Sequence, residues 1–167
     1  ILATVKELEL RGYTFDAADA SFELLLRRAL DGGLPDYFIV ESWRVITDSR
    51  GDDDALSEAT VKVVAAGERV VTTGEGNGPV NALDHALRSG LSTAYPEISE
   101  LELVDYKVRI LDTEHGTDAI TRVLIETSDG TTTWSTIGVA ANILEASWDA
   151  LLESVTYGLI RAGVTPR

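Results

Sequence analysis

The sequence contains no cysteine. Disulfides, thiolate catalysis and thiolate metal sites are therefore excluded. It is short of positive charge: 14 lysines and arginines stand against 28 aspartates and glutamates, a net charge of −14. Such a balance argues against non-specific binding to nucleic acid or to an anionic membrane, since both need a basic face. Neither is expected as a partner. No apolar run reaches the length that crosses a bilayer, and no signal-peptide pattern is visible at the start. The first residue is Ile1 rather than Met, and a helical pattern begins at once. We expect a fragment of a longer, cytoplasmic protein.

The usual catalytic patterns are missing too. His85 and His115 are the two histidines, and they form no HxH or HExxH pattern. Surface or half-buried positions are expected for both. No serine lies in a GxSxG elbow. The run Asp52-Asp53-Asp54 lacks the glycine and glutamate spacing of a calcium loop and reads as a solvated charged loop. These residues describe a binding or assembly module rather than a self-sufficient enzyme, with no catalytic residue and no metal of its own.

What is present is globular: 167 residues, 44% hydrophobic and 25% charged. A chain of this size buries roughly 70% of its unfolded surface. Residues 1–11 read as a short helix and 16–30 as a second, with Asp16 as its N-cap and Phe22, Leu25, Leu26 and Ala29 on one face. A boundary follows near residue 34. Period-two patterning then gives strands over 37–47, 59–65 and 69–73, and a helix to residue 92. The order restarts with strands over 101–111, 120–127 and 131–139, a hairpin turn at Ser128-Asp129-Gly130, and a helix over 142–161.

This is an internal repeat with a period of roughly 63 residues, too long for a solenoid. Trp43-Arg44-Val45 matches Tyr106-Lys107-Val108, Gly67 matches Gly130, and Gly74 matches Gly138. Ala82, Ala86 and Leu87 match Ala146, Ala150 and Leu151. Runs of strands followed by a helix place the chain in the α+β class: two pseudo-symmetric βββα units, each sheet with its helix on one face, preceded by a short helical segment. We expect a helical connector over 1–33 and the two repeats, about 36–95 and 100–163, within 34–167. Apolar strand faces in excess of what one chain covers suggest a two-fold homodimer.

The stretch Gly74-Glu75-Gly76-Asn77-Gly78-Pro79-Val80-Asn81-Ala82-Leu83 links a strand to a helix. Its glycines permit a tight turn with positive φ, and Pro79 suits a first helical turn. A helix start of this kind can receive a carboxylate or phosphate, or it is a plain turn. It is not a P-loop, since no Lys-Ser/Thr follows, and not a dinucleotide fingerprint, since no βαβ unit surrounds it. In the second repeat Leu103, Tyr106 and Ile110 can supply apolar walls and Thr117 and Thr121 hydroxyls. The alternative makes the three apolar residues sheet core.

The glycine stretch, with Val104-Asp105-Tyr106-Lys107-Val108-Arg109-Ile110-Leu111 and Asn142-Ile143-Leu144-Glu145-Ala146-Ser147-Trp148, resembles the C-terminal regulatory domain shared by α-isopropylmalate synthases and citramalate synthases. Gly12-Tyr13-Thr14-Phe15-Asp16-Ala17-Ala18 and Ser21-Phe22-Glu23-Leu24-Leu25 resemble the helical segment that precedes it in citramalate synthases, which is the nearer likeness. The resemblance implies a homodimeric domain that binds a branched-chain amino acid: isoleucine in citramalate synthases, leucine in isopropylmalate synthases. It also implies an N-terminal TIM barrel that uses a divalent metal and condenses acetyl-CoA with pyruvate or 2-oxoisovalerate. None of the barrel's metal motifs occurs here, so no cofactor is expected in this stretch. Carried over by motif, the effector pocket would draw Gly76, Asn77, Gly78, Asn81 and Ala82 from the first repeat, and Leu103, Tyr106, Ile110, Thr117, Thr121 and Ile143 from the second.

Overall fold

The computed structural model describes residues 1–30, 32–51, 53–111 and 119–167. Helices α1 (Leu2–Leu10) and α2 (Asp19–Leu30) come first, then strands β1 (Phe38–Asp48), β2 (Leu56–Ala65) and β3 (Glu68–Gly76) and helix α3 (Pro79–Leu91). A 3-10 turn (Pro96–Glu100) leads into strands β4 (Glu102–Ile110), β5 (Thr121–Ser128) and β6 (Thr133–Ala140) and helix α4 (Ile143–Arg161). The strands form two three-stranded antiparallel sheets in the orders β1-β2-β3 and β4-β5-β6. The α+β class and the doubled βββα order therefore hold. The chain divides into two compact units, Ile1–Leu34 with Glu100–Arg161, and Pro35–Ser99 with Ala162–Arg167.

In the Pro35–Ser99 unit the central strand sets the pattern. Ser57, Ala59, Val61, Val63 and Ala65 of β2 are buried at alternate positions, so one face of the sheet must be covered. Helix α3 covers it with Ala82, Leu83, Ala86, Leu87 and Leu91. Each wholly buried leucine contributes about 1.5–3 kcal/mol. Its small residues let it sit close: the Thr72 hydroxyl donates to the carbonyl of Ala86, 14 residues on, at 2.9 Å. The unit's last residues are held by Tyr37, whose hydroxyl donates to Val164 O at 2.7 Å. Tyr95 packs edge-on against Tyr37 and donates to its carbonyl at 2.8 Å.

The other unit repeats this plan. Val123, Ile125 and Thr127 of β5 are buried under Ala146, Ala150, Leu151 and Val155 of α4. The Thr136 hydroxyl donates to Ala150 O, again 14 residues on, at 2.7 Å. This unit adds a second layer. Helix α2 contributes Ala20 and Leu24 to a cluster with Leu101, Trp134 and Tyr157, flanked by Leu34 and Ile160. Helix α2 starts at Asp19 rather than Asp16. Asp19 lies in its first turn, and its Oδ1 accepts the Ser135 N–H at 2.8 Å.

The hairpin turn at 128–130 is as expected. Asp129 accepts the N–H groups of Thr132 (2.7 Å) and Thr131 (2.9 Å) and the Thr131 hydroxyl (2.8 Å). These bonds hold its carboxyl down at about 2, from an ordinary 3.8. A depressed carboxyl stabilises the fold above its ordinary value and loses that contribution as pH falls through its folded value. Asp129→Asn should therefore melt below the parent at neutral pH. The gap should close as pH falls from about 4 to about 2 in a series of thermal melts.

Candidate functional site

The glycine stretch takes a different form from the expected loop. Gly74 and Gly76 lie inside β3, paired with Ala59 and Ser57 of β2. None of Gly74, Gly76 and Gly78 has a positive φ. Closeness explains two of them. A Cβ on Gly74 would meet the backbone of Ala86 and Ala82, and one on Gly76 would meet Asn81 Oδ1 and lie 2.7 Å from Ala82 N. The strand end is thus pressed on the first turn of α3. Gly78 is the N-cap of α3, extended at φ −161° and ψ 166°, and Pro79 follows as expected.

The two helix starts differ in one respect. In α4 the side chain of Asn142 caps, accepting the N–H of Leu144 at 2.7 Å and of Glu145 at 3.4 Å. In α3 the cap is a glycine, which brings no side-chain cap bond to the first turn. The amide end of α3 carries a partial positive charge. Gly76, Asn77, Gly78 and Asn81 gather around it, with Asn77 and Asn81 exposed. Ala82 is wholly buried on the sheet side. His85 is exposed on α3 and its Nδ1 lies 2.7 Å from Glu75 O.

In the second repeat Leu103, Tyr106, Ile110 and Thr121 share the face on which α4 packs, since they pair with or belong to β5's buried positions. Helix α4 does not cover all of it. Val108 is 41% exposed, Ile110 58% and Ile143, at the start of α4, 43%. Tyr106 marks the edge of the cover. Ser147 donates to Ile143 O at 2.7 Å, so the Tyr106 hydroxyl is left to donate to Ser147 Oγ, 2.9 Å away. Ile110 pairs with Thr121, and Thr121 with Ala140, at this uncovered end. Leu103 pairs with Thr127, beside Trp134. At roughly 3.3 Å per residue that is about 20 Å from Ile110 along the strand, beyond the span of one small amino acid. Thr117 and His115 lie outside the described residues, as does Asp52. Val108 was not singled out from the sequence, although the period-two series 106, 108, 110 contains it.

A cavity of about 430 Å³ opens beside Glu75, lined by Asp48, Asp53, Asp54, Glu58, Arg50 and Ile46, among others. Its carboxylates would repel an anionic ligand. Among the described residues no group of three or more histidines, aspartates and glutamates is placed to hold a metal ion. No described helix is long and apolar enough to cross a membrane.

The profile of the LeuA allosteric (dimerisation) domain family matches residues 16–159. The chain belongs to this family. It is 61% identical over 166 residues to an (R)-citramalate synthase of Streptomyces coelicolor, covering 99% of this chain and 31% of the relative. It is 50% identical over 163 residues to an (R)-citramalate synthase of Synechocystis, covering 95% and 30%. A 2-isopropylmalate synthase of Ruminiclostridium cellulolyticum is 26% identical over 130 residues, covering 78% and 23%. The chain thus spans about a third or less of the length of these relatives. The resemblance read from the glycine stretch and the 104–111 and 142–148 segments holds: this is the regulatory and dimerisation domain type shared by the two synthases.

Proposed function

We propose that this LeuA allosteric domain is the feedback sensor of a citramalate synthase, and that it binds isoleucine and works as a homodimer. The catalytic part would be a separate barrel that condenses acetyl-CoA with pyruvate using a divalent metal. The identities of 61% and 50% to citramalate synthases support this choice of parent. The observation that carries the sensor reading is the unequal pair of helix starts. One repeat fills its helix N-terminus with Asn142, whereas the other caps it with Gly78, whose Cβ position is open. A free amino acid brings the carboxylate such an end attracts. A leucine-binding domain of the isopropylmalate synthase type is the second reading, given the 26% identity to a 2-isopropylmalate synthase. Methyl placement separates the two amino acids by only about 1–3 kcal/mol.

Titration calorimetry of the purified chain with isoleucine, leucine and valine tests the reading. We expect heat with isoleucine and affinities at least about tenfold weaker for the other two. Tighter leucine binding would move the domain to the isopropylmalate synthase type. No heat with any of the three would leave a dimerisation module without an effector.

A further inference from the structure

Strand β6 is an edge strand, and its outward N–H groups need partners or protection. Helix α2 supplies side-chain acceptors to two of them. Asp19 Oδ1 accepts from Ser135 N at 2.8 Å, and Ser21 Oγ accepts from Ile137 N at 2.9 Å. The Ser21 hydroxyl in turn donates to Glu153 Oε2 on α4, at 2.5 Å. Arg28 holds the other oxygen of Glu153 at 3.0 Å. The Tyr157 hydroxyl donates to Glu23 at 2.7 Å. Only Ala20, Ser21 and Leu24 of α2 are buried, so the apolar cluster of Ala20 and Leu24 with Leu101, Trp134 and Tyr157 and a chain of polar contacts together hold the helix down. Burial pushes the Glu153 carboxyl upward, so keeping the charged form in this relay costs free energy.

Both ends of this segment are glycine. Gly12 lies at φ +107°, and Gly32 and Gly33 at +77° and +140° with nothing near their Cβ positions. These are backbone values that glycine adopts without the cost other residues meet. Arg122 of β5 clamps the first end, donating to Gly12 O at 2.6 Å. Helix α1 beyond it has no buried residue.

We propose that α2 is a hinged strap, latched over the free edge of β6 by Asp19 and Ser21, and that it opens as a unit while the β4-β5-β6 sheet and α4 stay folded. Open and latched positions would move α1 together with α2. That makes the strap a two-state element of the kind that transmission between distant sites requires.

Amide hydrogen exchange on the intact chain tests this without any effector, so its failure leaves the sensor reading where it stands. In the parent chain the Ser135 and Ile137 amides should exchange at least about tenfold faster than the amides joining β5 to β6, through an opening smaller than global unfolding. Ser21→Ala should speed Ile137 by a further factor of about ten and leave the β5–β6 amides unchanged. Asp19→Ala should do the same at Ser135, which keeps the test alive if Ser21→Ala folds poorly. Exchange of Ser135 and Ile137 in step with the β5–β6 amides, in parent and variants alike, would overturn the latch. It would make α2 a fixed part of the core.

Discussion

Replacing Gly138 with alanine is expected to lower the stability of the chain by about 3 kcal/mol or more. Gly138 lies in β6 opposite Val123, beneath the first turn of α4. A Cβ there would overlap the carbonyl oxygen of Ala146 and lie 2.7 Å from its carbonyl carbon. Both are backbone atoms of a helix, so no rotamer change relieves the clash. Helix α4 would have to lift off β6, taking Ala146, Ala150 and Leu151 away from the sheet. Overpacking with a yielding neighbour costs about 1–3 kcal/mol. With an unyielding one we expect about 3 kcal/mol or more, a large share of a domain's total of about 5–15 kcal/mol. Guanidinium denaturation followed by circular dichroism measures it. A midpoint equal to the parent's would show that α4 does not sit as close as Gly138 requires. Gly74, pressed on Ala86 N and Ala82 O of α3, should respond in the same direction.

The shared role of Gly74 and Gly138 was legible in the sequence as a repeat, but its cause was not. Alignment of Gly74 with Gly138, and of Ala82 and Ala86 with Ala146 and Ala150, already contained the helix-to-sheet contact: small residues facing small residues. Periodicity also gave the six strands and the order of the helices, because each central strand buries one face at strict alternation. What local pattern could not give was competition for a side chain. Asp16 looked like the cap of α2, and only tertiary contact shows that Asp19, in the observed first turn, is spent on the edge of β6. Likewise the glycines of the 74–78 stretch suggested a tight turn with positive φ. In fact β3 runs through two of them, because Gly74 and Gly76 are demanded by a close neighbour rather than by a turn. The candidate pocket was read unevenly for a related reason. The alternation of β4 placed Tyr106 and Ile110 on one face, yet it could not say where α4 stops covering that face. That limit leaves Val108 and Ile110 exposed and Leu103 at the far end of the strand beside Trp134's partner.

Gly78→Asp should separate stability from effector binding and move them in opposite directions. Gly78 is extended and its Cβ position is open, so a side chain enters without strain. An aspartate there would cap α3 as Asn142 caps α4, with its charge at the favourable end of the helix dipole. Glycine is already a tolerable cap, so the gain in stability should be only a few tenths of a kcal/mol. The loss in affinity should be much larger. The built-in carboxylate would occupy the amides that the effector's carboxylate needs, and would repel it. We expect isoleucine binding to weaken by more than about tenfold, or about 1.4 kcal/mol, in the same calorimetric titration, with an unchanged or slightly raised melting temperature. Gly78→Asn divides the effect, since it competes for the amides without adding charge. Isoleucine affinity equal to the parent's in both variants would place the carboxylate elsewhere and remove the helix start from the site. Weak binding in both, with stability intact, would mean that the first repeat keeps glycine at its cap so that the effector can serve as the cap itself.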